Sequence, residues 1–149
     1  MTTEQLPDDA GQSMRLIVEG TRLLTTRIPL LFERRTEGIT YRQWEALKVI
    51  LSARTPEISL SDITSFMGYS RQNVKKLVAG LEKAGYVTLE PSHIDGRALR
   101  VEATRKARSA APALEAAEQR MLGELFSGVE DEDLSTAGRA MSRMISNVS

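Results

Sequence analysis

Cysteine is absent from the chain, and histidine occurs once, at His93. The first absence removes disulfide frameworks, thiolate-held metals and thiol-based redox sensing. With a single imidazole, a zinc site would have to be built from carboxylates alone, so neither a metal nor a cofactor is expected. The same shortage removes Ser-His-Asp and Cys-His arrangements, and no paired carboxylates suggest a metal-assisted reaction, so the chain does not read as an enzyme. No apolar run approaches the roughly 20 residues of a membrane span, and residues 1–20 lack a basic start followed by an apolar block. A cytoplasmic protein with no membrane partner is the expectation. Internal repeats and low-complexity linkers are missing too.

What is present suits one folded unit over residues 1–149. Hydrophobic residues at 41% can fill a core, and charged residues at 27% are too few for the composition of disorder. The net charge is zero but unevenly spread. Residues 36–108 hold 12 basic and 8 acidic residues, a surplus of four positive charges, whereas residues 109–149 hold 3 basic and 7 acidic. The positive charge lies in the middle of the chain, a useful place only if a nucleic-acid-binding pattern lies there as well.

Apolar periodicity outlines the elements. Met14, Ile17, Leu24, Ile28 and Leu31, with a second stripe at Leu16, Leu23 and Leu30, predict a helix over about 12–32 that is sticky on more than one face. Pro29 should kink or interrupt it. Thr40 with Gln43 forms a capping box ahead of Trp44, Leu47, Ile50 and Leu51, and Ser59 with Asp62 repeats the pattern ahead of Leu60, Ile63 and Phe66. Ile58 suits a very short strand. Gly68 closes the second of these helices, and Ser70 opens another with Val74, Leu77, Val78 and Leu81 on one face and Gly85 at its end. Residues 86–89 and 98–103 read as strands of a hairpin around Asp95-Gly96, a favoured tight turn. Thr104 then caps a long helix, and the acidic run Glu130–Asp133 suits the start of a last one carrying Leu134, Ala137, Met141, Ile145 and Val148. The predicted fold is mainly α with a small β-hairpin.

Two short helices separated by Gly68-Tyr69-Ser70, followed directly by a hairpin, form a winged helix-turn-helix. A helix can enter a major groove only if its outer face carries no bulky apolar residues. Ser70, Arg71, Gln72, Asn73, Lys75 and Lys76 satisfy that condition. Gln and Asn pair bidentately with adenine, Arg with guanine, and lysines suit phosphates, while Ser70 and the helix start offer backbone amides. Polar residues at a helix start are more often a cap and a solvated face; a hairpin flanked by Arg97 and Arg100 changes those odds. Double-stranded DNA is the expected partner, and a winged helix used only for protein contact is the alternative.

These residues resemble the MarR (multiple-antibiotic-resistance regulator) family of winged-helix transcription factors. The resemblance runs from about Ile39 to Ala107 and is most specific at Asp95-Gly96-Arg97 and Val101-Glu102-Ala103-Thr104, with Leu60-Ser61-Asp62-Ile63 and Ser70 to Val87 matching the two helix-turn-helix elements. Ala103, Ala107 and Leu89-Glu90 depart from the family's usual leucine, glycine and arginine. The resemblance implies a homodimer, with residues 12–35 and 105–149 as dimerisation helices and residues 36–104 as the DNA-binding lobe, acting as a repressor on a near-palindromic operator. It gives Arg97 a minor-groove role, with Asp95 holding it. It also implies release by a small aromatic or amphipathic ligand in a crevice for which Arg22, Tyr41 and Trp44 are candidates. Trp44 lies on an apolar helix face, so core packing is the stronger reading for it. His93 reads as an exposed loop residue, and Met121, Met141 and Met144 as interface filler.

Overall fold

The computed structural model describes residues 9–92 and 98–149. The hairpin tip, with His93, Asp95 and Arg97, lies outside them. The order is α1 (Ala10–Glu33), α2 (Tyr41–Leu51), β1 (Ile58–Ser59), α3 (Leu60–Met67), α4 (Arg71–Lys83), β2 (Val87–Pro91), β3 (Leu99–Ala103), α5 (Arg105–Leu125) and α6 (Asp131–Val148). The helices begin where short polar side chains take up orphan amides. Asp9 accepts from the Gln12 amide at 2.7 Å, Thr40 and Gln43 close a reciprocal capping box, and Ser59, Ser70 and Thr104 each accept from the amide three residues on. Each such cap contributes about 1 kcal/mol.

Pro29 does not interrupt the first helix: α1 runs unbroken through it. The proline removes one backbone hydrogen bond, but its flanks, Ile28, Leu31 and the fully buried Phe32, pack on the core, and that burial holds the turn in place.

β1 pairs antiparallel with β3 through Ile58 and Val101, and β2 pairs with β3 from Val87 and Ala103 to Pro91 and Leu99, giving a sheet of order β1-β3-β2. Its inner face, with Val87 and Val101, closes a core of Leu47, Leu60, Ile63, Val74, Val78 and Leu81. That core holds α2, α3, α4 and the sheet as one lobe. Trp44 joins the lobe to α5. Its ring is fully buried and stacks at 6.5 Å on Phe32, its Nε1 donates to Glu118 Oε2 at 3.0 Å, and Lys48 pairs with the other oxygen of Glu118. By contrast, α6 buries none of its residues within its own chain.

Gly68 ends α3 at φ +66°, in the left-handed region that glycine adopts without penalty. A Cβ built there meets nothing within 4 Å, so the cost of replacing it is purely conformational. Gly68→Ala is expected to lower stability by about 1 kcal/mol, and Gly68→Asn to recover part of that loss. Urea unfolding checks both, and an unchanged midpoint for the alanine variant would contradict the assignment.

Candidate nucleic-acid interface

The outer side of α4 is built by a simple division of labour. Val74, Val78 and Leu81 turn into the core, and Arg71, Gln72, Asn73, Lys75 and Lys76 are all exposed. Ser70, also exposed, accepts from the Asn73 amide at 3.3 Å, which leaves the Asn73 side chain outside the cap. Arg71 reaches back to Ser61 Oγ on α3 at 3.5 Å, a long contact that ties the two helices of the motif. Among the described residues, Gln72, Lys75 and Lys76 have no hydrogen-bonding or ion-pairing side-chain partner, so their polar ends face solvent. The structure therefore brings all six helix candidates together on the outside of one element.

Arg100 is placed differently. It lies in β3, opposite Glu90 of β2, and its guanidinium pairs with Glu57 just ahead of β1; Glu102 borders the same hollow. The charge expected to face DNA at this position is held against the sheet by a carboxylate. It ties β3 to the segment entering β1, and the described part of the wing presents an acidic root. Asp95 and Arg97 belong to the tip outside the described residues.

Two clefts meet at the turn between α3 and α4. The larger, about 600 Å³, opens between the start of α2 and α4 and is lined by Thr40, Arg42, Gln43, Tyr69, Asn73, Lys76 and Leu77. The smaller, about 220 Å³, lies between α1 and α2 and is lined by Thr25, Ile28, Pro29, Tyr41, Arg42, Glu45 and Tyr69. Arg42 and Tyr69 form the wall between them. The Arg42 guanidinium donates to the Tyr69 hydroxyl and lies 5.3 Å from its ring centroid, while that hydroxyl donates to Glu45 Oε2 at 3.3 Å. Burial, reinforced by Glu45, pushes the Tyr41 phenol up to about 12, and the same two causes raise Tyr69. Both phenols stay protonated at neutral pH and act as donors.

Of the three ligand candidates, Tyr41 lines the smaller of these two clefts, and Arg22 and Trp44 line neither. Trp44 is sealed in the core, and Arg22 is exposed on α1 a turn before Thr25. The residues missed were Arg42, Glu45 and Tyr69. The spacing of Arg42 and Glu45 on α2 was visible, but nothing in the sequence brings Tyr69 and the α3–α4 turn against that face. Among the described residues no cluster of three or more histidine, aspartate or glutamate side chains offers a metal site, and no helix is long and apolar enough to cross a membrane.

Residues 37–98 match the model of the MarR family. The match takes in the winged lobe and less than half of the chain. Solved structures extend the likeness beyond that lobe. A MarR family transcriptional regulator from Streptomyces coelicolor, in complex with DNA, superimposes with a TM-score of 0.82 at 16% identity over 98% of this chain and 92% of that one. AbsC from the same organism gives 0.72 at 23% identity over 98% of each chain. BpsR of Bordetella bronchiseptica, whose DNA binding is regulated by 6-hydroxynicotinic acid, gives 0.76 at 15% identity over 86% of this chain and 97% of that one. At these identities the structures establish a shared fold, including the MarR arrangement of helices flanking the winged lobe. No curated protein matches the chain significantly by sequence.

Proposed function

We propose that the protein is a sequence-specific transcription regulator that binds a near-palindromic operator as a homodimer, with α4 in the major groove, and that it acts as a repressor. The observation that carries this reading is the solvent-facing polar side of α4, with Gln72, Lys75 and Lys76 unengaged, on a lobe matching the MarR family. The apolar outer faces of α1 and α6 support the dimer: Met14, Leu16 and Val18 are 62%, 57% and 70% exposed, and Ile145 is 56% exposed. The smaller cleft supports release by an aromatic acid. Arg42 lines the cleft as the group an acid's carboxylate would meet, and Tyr41 and Tyr69 supply ring surface.

Titration against matched and scrambled duplexes at two salt concentrations tests the proposal. Gln72→Ala is expected to lose about 1 to 3 kcal/mol of discrimination at one base position. Lys76→Ala should weaken binding to every duplex and flatten the salt dependence, with specificity intact. Arg97→Ala should cost most on operators with A·T-rich flanks. Binding that ignores salt and sequence would instead favour a protein-contact module.

A further inference from the structure

The two clefts beside Tyr69 differ in charge. The smaller one has Glu45 to balance Arg42, whereas the larger is lined by two cations, Arg42 and Lys76, and by no carboxylate. Thr40, Gln43 and Asn73 add neutral groups able to donate hydrogen bonds around the same space, beside the ring of Tyr69. A surface of this composition suits an anion with several acceptor oxygens. The cleft also shares Asn73 and Lys76 with the outer side of α4, so a duplex docked on that helix lies across its mouth.

We propose, on the reading that the chain binds DNA through α4, that this cleft seats one backbone phosphate of the operator, held by Arg42 from α2 and Lys76 from α4. Arg42 arrives positioned. Its contact with the Tyr69 hydroxyl, itself bonded to Glu45, fixes the guanidinium at the mouth, so little side-chain entropy is lost on contact. The contact anchors the start of α2 on the sugar-phosphate backbone and sets the register in which α4 meets the bases. Because Arg42 also borders the smaller cleft, an acid bound there competes with the phosphate for the same guanidinium.

The test uses full-length protein and a duplex selected from a random pool. Arg42→Gln is expected to bind matched and scrambled duplexes alike roughly tenfold more weakly, and to lower the slope of log affinity against log salt by about one for each bound protomer. Arg42→Lys should restore the slope. A scan of duplexes carrying single methylphosphonates identifies the partner: wild type should lose affinity at one position per half-site, and Arg42→Gln, left with Lys76 alone there, should lose clearly less at that position. Circular dichroism melting monitors the fold, and the methylphosphonate comparison remains decisive even if Arg42→Gln is somewhat less stable. If Arg42→Gln keeps the wild-type slope and methylphosphonate profile, the phosphate seat is wrong while the DNA-binding reading stands. If the wild type shows no salt-dependent binding to any duplex, both fall.

Discussion

Ile145→Asp is expected to leave the winged lobe folded while abolishing dimerisation and, with it, tight operator binding. The residue is 56% exposed near the C-terminal end of the α6 stripe, between Met141 and Val148, and α6 has no fully buried residue in its own chain. A helix with an apolar stripe and no intrachain shelter is stable only where a second surface covers that stripe. Putting a carboxylate into such an interface strands a charge away from water. That costs several kcal/mol, enough to weaken association by about a thousandfold. Light scattering at micromolar concentration should give about twice 16.5 kDa for the wild type and a single chain's mass for the variant. Operator affinity should fall by about a hundredfold or more, because two half-sites are then engaged independently. A variant that remains dimeric with wild-type affinity would remove α6 from the interface.

The largest loss of stability is expected at Trp44. Trp44→Ala removes a fully buried indole that stacks on Phe32 and receives the Lys48 ammonium 5.7 Å from its centroid. Truncations of this size cost about 3 to 5 kcal/mol. That is a large share of the total stability of a domain. The change also strips Glu118 Oε2 of its donor at the junction of α2 and α5. Trp44→Phe keeps most of the volume and should cost less, about 1 to 2 kcal/mol. Urea titration followed by circular dichroism separates the two; near-identical midpoints for wild type and Trp44→Ala would show that the indole does not join the two parts of the molecule.

Much of this architecture was readable from the chain because its signals are local. Thr40 with Gln43, Ser59 with Asp62, Ser70 and Thr104 each mark a helix start within four residues, and Gly68 and Gly85 mark ends through positive φ. The exposed side of α4 followed from its apolar spacing. What stayed hidden depends on contacts distant in sequence. Arg100 looked like a basic wing residue, and only the pairing of β1 with β3 brings Glu57 onto it. Pro29 read as a kink or an interruption because propensity speaks for a turn in isolation; the helix is not interrupted there, and the buried Phe32 holds the following turn. The clefts require α1, α2 and the turn at Tyr69 to converge, and Arg42 carries no mark of that until they do.

The order of the sheet also bears on how the protein behaves when crowded. Its outer strands are the two-residue β1 on one side and β2 on the other. An exposed strand edge is a template on which another chain can add and seed fibrils. β1 is too short to serve. β2 ends in Glu90 and Pro91, a charge and a residue with no amide hydrogen to donate, so a foreign strand finds neither a flat nor a complete ladder. The edge of β2 is thereby a poor template, and concentrated solutions should resist the slow cross-β conversion to which a longer bare edge would expose them.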